Sequence, residues 1–570
     1  MKWIPIFFTV LLFTNFQTKA QTKVQKTPLI QTPPSFGVIF NEDGDFAFLD
    51  PDPKQAEKLL RANVDGHAAL GIKTYVFSLG AGSDALYYPT KVSSSYGWRE
   101  TKYEKENEVW KWRVRSARAC IAAGLDAINI AGDQAKKNHL LFIPSLRMND
   151  SHFMADPYNY PLTGKFWLDH APDLTIQQSP ISFDKNYGNL FDYSKEAVRK
   201  YRLAVIEEAI ERNIHLMDGF ELDFNRVQVF FPKGKALLGK DDMTELVRQV
   251  RKKLDTVSKK LGRPMYLFVR IPPSDEACEW AGLDIYRWMK EQLVDLISPA
   301  QLMTLAHDMP IQNMIAAAKK NRIQIYPSIY PRTSYRVQLE PGKKDLGLTN
   351  KFDRVASLSE TVAAALNYQA MGVNGFYLYN YKGGGKDEGY RPHPDWMYSL
   401  VATLSFLKPS GAEKVFAITK SYYNDQLKPS YAYVKQLPEK LSGKAQFSIQ
   451  LGELPNESPF PLKSCVMRIG IKGAVENQLT VSLNGTTLQL LKSVNQQSLN
   501  GGKPLTADMA AYSMIYTIDH PEILHKGVNT IILGGNDLVI TDIEIGYAYH
   551  NQLALFMSGT PVPPLNSSFE

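Results

Sequence analysis

Cysteine is scarce: three in 570 residues, Cys120, Cys278 and Cys465. None are close in sequence, so there is no CxxC pair and no zinc spacing. Each lies in an apolar or helical context, where a buried, inert thiol is expected. The ten histidines form no HxH and no HExxH, so metal catalysis is not expected. Nothing implies a cofactor. Gly383-Gly384-Gly385-Lys386 lacks the G-x-x-x-x-G-K spacing of a phosphate loop and reads as a mobile loop. Net charge is +7, and no basic tract is longer than the Arg251–Lys253 region, which argues against dedicated nucleic-acid binding. No internal repeat or low-complexity tract occurs. What is present is ordinary for a large globular chain: 44% apolar, 22% charged and 11% aromatic. That composition excludes disordered and collagen-like proteins.

The N-terminus is different. Met1-Lys2 is followed by a short apolar run, Ile4 to Phe16, and then Thr18-Lys19-Ala20. A charged start, a short apolar stretch and a small residue at the cut describe a secretory signal peptide over residues 1–20. Cleavage removes Lys2 and Lys19, taking the net charge from +7 to +5. No later segment offers about 18 apolar residues in a row, so no membrane span is expected. The mature protein is expected to be secreted or periplasmic. The sequence says nothing of oligomeric state.

After a polar lead over residues 21–35, short apolar runs alternate with helical patterns. The runs are Phe36–Asn41, Lys73–Leu79, His139–Ser145, Met217–Asp223, Met265–Ile271, Leu293–Ser298, Arg322–Pro327 and Val373–Tyr379. Amphipathic stretches such as Lys195–Arg212, Asp241–Leu261, Ile311–Asn321 and Ser357–Met371 lie between them. Strand alternating with helix eight times predicts a parallel (β/α)8 TIM barrel over residues 36–410. Asp192-Tyr193-Ser194 supplies cap residues before one helix, and Gly262 and Pro264 end another. From Lys414 the pattern changes to short alternating runs: Gln446–Gln450, Ser464–Ile471, Gln478–Leu483, Thr530–Leu533 and Asp542–Tyr549. Asn484-Gly485 and Gly534-Gly535-Asn536 read as turns. Residues 411–570 are therefore expected to form an antiparallel β-sandwich.

In such barrels the active site lies at the C-terminal ends of the strands. Strand four ends Gly219-Phe220-Glu221-Leu222-Asp223-Phe224-Asn225-Arg226. Side chains alternate along a strand. Phe220, Leu222 and Phe224 should pack on the helices, leaving Glu221, Asp223 and Asn225 pointing into the barrel. Buried carboxylates are costly unless paired or solvated, so either a site or a structural ion pair is expected there. Strand three places Ser145, Arg147 and Asn149 on one face, followed by Asp150. Strand five places Arg270 beside them, and Arg147 and Arg270 can bracket the two acids. Asn41 and Asp43 share a face at the end of strand one. His307 follows strand six, Arg332 follows strand seven, and Tyr377, Tyr379 and Asn380 end strand eight. Aromatic residues at a barrel mouth suit sugar rings.

The barrel region resembles the glycoside hydrolase-like barrel proteins secreted by polysaccharide-degrading bacteria. The likeness rests on "GFELDFNR", "VRIPPSDEACEWAGLDIYRWMKEQLVDLISP" and "GVNGFYLYNY". It implies a barrel fold and a glycosidase acting on a carbohydrate. The stretches "LTVSLNGTTLQL", "HKGVNTIIL" and "ITDIEIGYAY" resemble the jelly-roll modules attached to such enzymes. Strand four is also similar to the chitinase-type D-G-x-D-x-D-x-E signature, laid on Asp218, Gly219, Glu221, Asp223 and Asn225. Two positions depart from it: Glu221 replaces an Asp, and Asn225 replaces the catalytic Glu. An amide cannot be a general acid, so chitinase-type chemistry is not expected.

Glycoside hydrolysis uses two carboxyls, and the expected catalytic pair is Glu221 and Asp223. Asp43 or Asp150 is an alternative partner. Residues i and i+2 lie about 6.6 Å apart along a strand. That falls between the retaining spacing of about 5–5.5 Å and most of the inverting range of about 6.5–9.5 Å, so stereochemistry stays open. Arg147, Asn149, Asp150, Asn225, Arg226, Arg270, His307, Tyr379 and Asp43 are expected to line the substrate site. The arginines near strand ends raise an acidic sugar as one substrate class. A non-catalytic carbohydrate-binding barrel is the alternative.

Overall fold

The computed structural model describes residues 33–44, 47–81, 84–106, 108–150, 152, 156–180, 185–301, 304–333, 354–379, 381, 395–419, 436–472, 479–495 and 512–549. The expected leader and the Gly383–Lys386 loop lie outside them.

All eight expected strands form one parallel sheet. They are β1 (Val38–Glu42), β2 (Thr74–Ser78), β3 (Leu141–Arg147), β4 (Gly219–Asp223), β5 (Tyr266–Ile271), β6 (Leu296–Pro299), β7 (Gln324–Ile325 and Ser328–Ile329) and β8 (Phe376–Tyr379). Neighbours follow chain order, and β1 pairs with both β2 and β8. The barrel closes through β7. Its first half pairs with β6 and its second half with β8. Pro327, which has no N–H to donate, stands at the break. The ladder is kept there by Tyr326 N–H on the Ile297 carbonyl and Tyr377 N–H on the Pro327 carbonyl.

A helix follows each strand: α1 (Pro53–Ala69), α2 (Ala127–Lys137), α3 (Glu196–Asn213), α4 (Ala236–Leu261), α5 (Ile285–Lys290), α6 (Gln312–Asn321), α7 (Leu358–Met371) and α8 (Asp395–Ser405). The stop of α4 is as read, with Gly262 left-handed at φ 67°. The start of α3 is one residue later than the stretch read from Lys195. Lys195 is the N-cap and makes no side-chain cap bond, because Asp192 is spent on the Ser194 N–H upstream.

Strand alternation sorts the apolar residues into two layers. Phe220, Leu222, Leu267 and Val269 pack outward with the helices. Phe36, Ile39, Val76, Ile143, Phe268, Leu296, Tyr326, Tyr377 and Tyr379 fill the inside. Gly219 has to be glycine, because a Cβ there would lie 2.2 Å from the Tyr266 carbonyl oxygen. Burial pushes the Cys120 thiol up to about 11 and the Cys465 thiol up to about 12, so both are held as inert thiols. Among the described residues no helix is long and apolar enough to cross a membrane.

The C-terminal part is antiparallel: β9 (Lys414–Ala417), β10 (Glu439–Leu451), β11 (Ser464–Lys472), β12 (Thr480–Leu483), β13 (Thr486–Thr487), β14 (Gln489–Asn495), β15 (Tyr512–Thr517) and β16 (Gly527–Ala548). Asn484 and Gly485 have φ of 49° and 87°, the signature of a two-residue hairpin turn. Gly534-Gly535-Asn536 is not a turn. The two strands read on either side of it are one 22-residue strand, β16. A bulge at Asp537 (φ 57°) absorbs the irregularity. β16 pairs with β10 and β12 along its first half and with β9 and β11 along its second. One strand therefore organises both halves of this part.

The two parts share a boundary at α7. Val362, Ala363 and Leu366 belong to the apolar cluster of the C-terminal sheet. Asn367 donates to the Gln450 and His307 carbonyls. Gly452 lies directly on this helix, where a Cβ would sit 2.2 Å from the Leu366 carbonyl oxygen. Gly452→Ala is expected to cost about 1–3 kcal/mol through overpacking. Urea unfolding checks this, and unchanged stability would show that the contact yields freely. A cleft of about 460 Å³ opens along the same boundary. It is lined by Asp275, Glu276 and Asp308 from the loops after β5 and β6, and by Gln436 and Gln450 opposite.

Candidate active site

The parallel register builds the site in rows. Ser78, Ser145 and Glu221 stand level on β2, β3 and β4. One row further toward the C-terminal end, Arg147, Asp223, Arg270 and Ser298 stand level on β3 to β6. Asn41 is level with Tyr379 on β8. The apolar interior of the barrel thus gives way, in two rows, to a polar one.

Glu221 is fully buried. Its Oε1 accepts from Ser145 Oγ at 2.7 Å and from the Tyr377 hydroxyl at 3.0 Å. Asn41 Nδ2 donates to the same Tyr377 oxygen at 3.0 Å, which leaves the tyrosine proton for Glu221. Burial, and with it the electric field of Glu221, raises Tyr377 well above the usual range and keeps it a donor. Burial, reinforced by Asp223, pushes Glu221 up to about 7, against the hydrogen bonds from Ser145 and Tyr377 and the charge of Arg270.

Asp223 is treated differently. Arg270 Nη2 binds its Oδ2 at 2.8 Å, and the Asn225 N–H binds Oδ1 at 2.9 Å. The Arg270 guanidinium also lies 3.7 Å over the Tyr379 ring, a stacked cation–π arrangement. Both partners of the ion pair are at most 3% exposed.

A second charge chain runs beside it. Arg147 binds Asp43 at 2.7 Å and Asp150 at 2.9 Å. Asp150 also meets His152 Nδ1, and Arg226 meets His152 Nε2. Burial pushes the His152 imidazole down, and Arg226 and Arg147 add to this against the pull of Asp150. His152 is therefore not a fourth cation at neutral pH. Among the described side chains, three arginines (147, 226 and 270) face three aspartates (43, 150 and 223).

Four buried polar atoms around this interior have no hydrogen-bond partner among the described residues: Glu221 Oε2, Asn41 Oδ1, Arg270 Nε and the Tyr379 hydroxyl. They come from β4, β1, β5 and β8. Buried polar atoms are costly when unpaired, so a further hydrogen-bonding group would be stabilised at these four points.

The structure thus gathers Glu221, Asp223, Arg270, Tyr379, Arg147, Asp43, Asp150 and Arg226. Two other expected site residues have their side-chain amides engaged in holding loops. Asn149 donates to the Phe191 and Val229 carbonyls. Asn225 donates to the Ala300 carbonyl and accepts from Gln228. A third, His307, sits at the α7 boundary, where its backbone N–H donates to Thr419 Oγ1 at 2.7 Å. The side chains of Arg332 and Asn380 lie outside the described residues. Ser145, Tyr377 and Asn41 gain a role that strand reading did not give them, as the groups around one oxygen of Glu221. Their inward parity was the available signal. Among the described residues no cluster of His, Cys, Asp and Glu is arranged to hold a metal ion.

No protein-family model matches the chain, and no curated protein sequence matches it. Solved structures match along the chain path at low identity. A chitinase from Bacillus thuringiensis is 10% identical, with a TM-score of 0.36 over 90% of this chain and 100% of that one. An alpha-L-fucosidase from Paenibacillus thiaminolyticus is 11% identical, with a TM-score of 0.31 over 88% and 96%. A cycloisomaltooligosaccharide glucanotransferase from Paenibacillus sp. is 11% identical, with a TM-score of 0.33 over 89% of this chain, which spans 57% of that protein.

Proposed function

We propose that the protein hydrolyses glycosidic bonds of a poly- or oligosaccharide, with Glu221 as the acid/base group and Asp223 as the carboxylate that meets positive charge at the anomeric carbon. One observation carries this reading: two carboxyls two residues apart on β4 are put in opposite situations. Glu221 is buried, pushed up to about 7 and tied to neutral donors. Asp223 is bound to a guanidinium. Glycoside hydrolysis needs such a division, a carboxyl that can hold a proton near neutral pH beside one that stays charged.

The charge balance of the site favours an uncharged sugar. Three of the arginines that raised an acidic substrate in the sequence, Arg147, Arg226 and Arg270, already have aspartates facing them. The Tyr379 hydroxyl, which has no hydrogen-bond partner among the described residues, suits a neutral sugar hydroxyl. Secretion by the N-terminal leader is part of the same proposal.

The test is a panel of neutral and acidic glycans, with Glu221→Gln as the control. The native protein is expected to turn over a neutral glycan, with activity lost as pH rises through about 7, where Glu221 gives up its proton. Full activity of Glu221→Gln on that glycan would overturn the assignment. Binding without turnover across the panel would favour the carbohydrate-binding alternative.

A further inference from the structure

Glu221 has two oxygens in unlike surroundings. Ser145 Oγ and the Tyr377 hydroxyl both reach Oε1, at 2.7 and 3.0 Å. Oε2 is buried and has no hydrogen-bond partner among the described residues. Asn41 favours Tyr377 as the donor. The tyrosine oxygen already accepts from Asn41 Nδ2, so its own proton goes to Glu221. An oxygen that accepts from two donors has no lone pair well placed to carry a proton of its own.

We infer that Ser145 and Tyr377, with Asn41 behind them, are positioning residues that fix the proton of Glu221 on Oε2. They make one carboxyl oxygen a permanent acceptor and the other the one that gives and takes the proton. The inference rests on the reading of Glu221 as the acid/base group only for its catalytic meaning. The placement of the proton itself is a property of the free protein.

Cooperativity supports this arrangement. Asn41 polarises the Tyr377 hydroxyl, and the hydroxyl polarises Oε1. The other charged groups facing Glu221 are Asp223 on its own strand and Arg270 on β5. Neither binds Oε1 or Oε2, so neither selects between the two oxygens.

The two possible placements predict opposite results. If Ser145 and Tyr377 donate to Oε1, they favour the carboxylate, and removing either must move the titration of Glu221 upward. If instead Oε1 carried the proton and donated it to them, removing either would move the titration downward. The titration is read without substrate. Urea unfolding is followed against pH in each background and in the same background carrying Glu221→Gln, and the difference isolates Glu221. Tyr377→Phe is expected to raise the midpoint by about one pH unit, the size of one hydrogen bond to a charged group. Ser145→Ala is expected to move it the same way, and Ser145→Thr, which keeps the hydroxyl, to restore it. Two single variants guard against one failing to fold.

A downward shift, or no shift in either variant, overturns the placement. The catalytic reading fails separately. Turnover that ignores Glu221→Gln, together with an upward shift, would sink the catalytic role and leave the proton on Oε2. Turnover that needs Glu221, together with a downward shift, would do the reverse. With both intact, Tyr377→Phe lowers kcat with little change in KM and moves the alkaline limb of the rate profile by the same interval as the titration.

Discussion

Replacing Glu221 by Gln is expected to cut turnover by orders of magnitude and, at the same time, to make the protein more stable above pH 7. The two effects have one cause. The folded protein holds the Glu221 proton up to about pH 7, whereas an ordinary glutamate gives it up near 4.5. Between those values the unfolded chain binds fewer protons than the folded one. Stability therefore falls as pH rises from about 4.5 to about 7 and stays lowered above. The fall amounts to about 3 kcal/mol at 1.36 kcal/mol per pH unit. Glutamine has no proton to lose. Its amide oxygen accepts from Ser145 and Tyr377 as Oε1 does, so the hydrogen bonds at 2.7 and 3.0 Å can survive. The variant should match the native protein near pH 4 and exceed it by up to about 3 kcal/mol at pH 8. Losing general acid catalysis should cost about 10²–10⁴ in rate. A substrate with a leaving group acidic enough to depart unaided should escape most of that loss, which separates lost proton transfer from lost folding. Urea unfolding at the two pH values decides the stability half. Equal curves at pH 8 would mean that Glu221 is not held protonated.

That a residue costs stability where it would do chemistry explains which parts of the molecule could be read in advance. All eight barrel strands were legible because buried parallel strands are short apolar runs whatever their neighbours. Even β7 was legible, since its Pro327 interrupts the ladder only where the strand changes partners. The inward parity of Glu221 and Asp223 was legible for a similar reason: alternation is a local property. Partner choice is not local. Nothing around Asn225 in sequence says that its amide will hold the Ala300 carbonyl, 75 residues away. Nothing near Asn149 points to Phe191 and Val229. Arg147 and Arg226 looked like cations waiting for an acidic ligand: Asp150, three residues beyond Arg147, was in view as a partner, but the pairing of Arg147 with Asp43 from the end of β1 was not local. β16 was misread in the opposite direction. Its Gly534-Gly535-Asn536 has turn composition, but continuous pairing with β10 carries the strand straight through.

Removing the Arg270 side chain is expected to be the most damaging change at the site. In Arg270→Met the apolar stem is kept, so the packing lost is small, but Asp223 remains only 3% exposed without the cation that binds its Oδ2. Breaking a buried pair in this way costs about 3–5 kcal/mol. The guanidinium 3.7 Å over Tyr379 goes as well. Arg270→Lys should restore little, since an ammonium reproduces neither the planar stack nor the fork that faces the carboxylate. The informative partner is Asp223→Asn. If the cost of Arg270→Met is an abandoned charge, then adding Asp223→Asn should recover most of the stability. The double-variant coupling measured by urea unfolding should then be about 2–3 kcal/mol. Activity should not return, because the amide cannot meet a developing cation as a carboxylate does. A double variant as unstable as Arg270→Met alone would show that the arginine acts through its packing on Tyr379, and that Asp223 does not depend on it. Recovery of stability without recovery of turnover would place the ion pair in the chemistry, since a purely structural pair has nothing to lose once its charges are removed together.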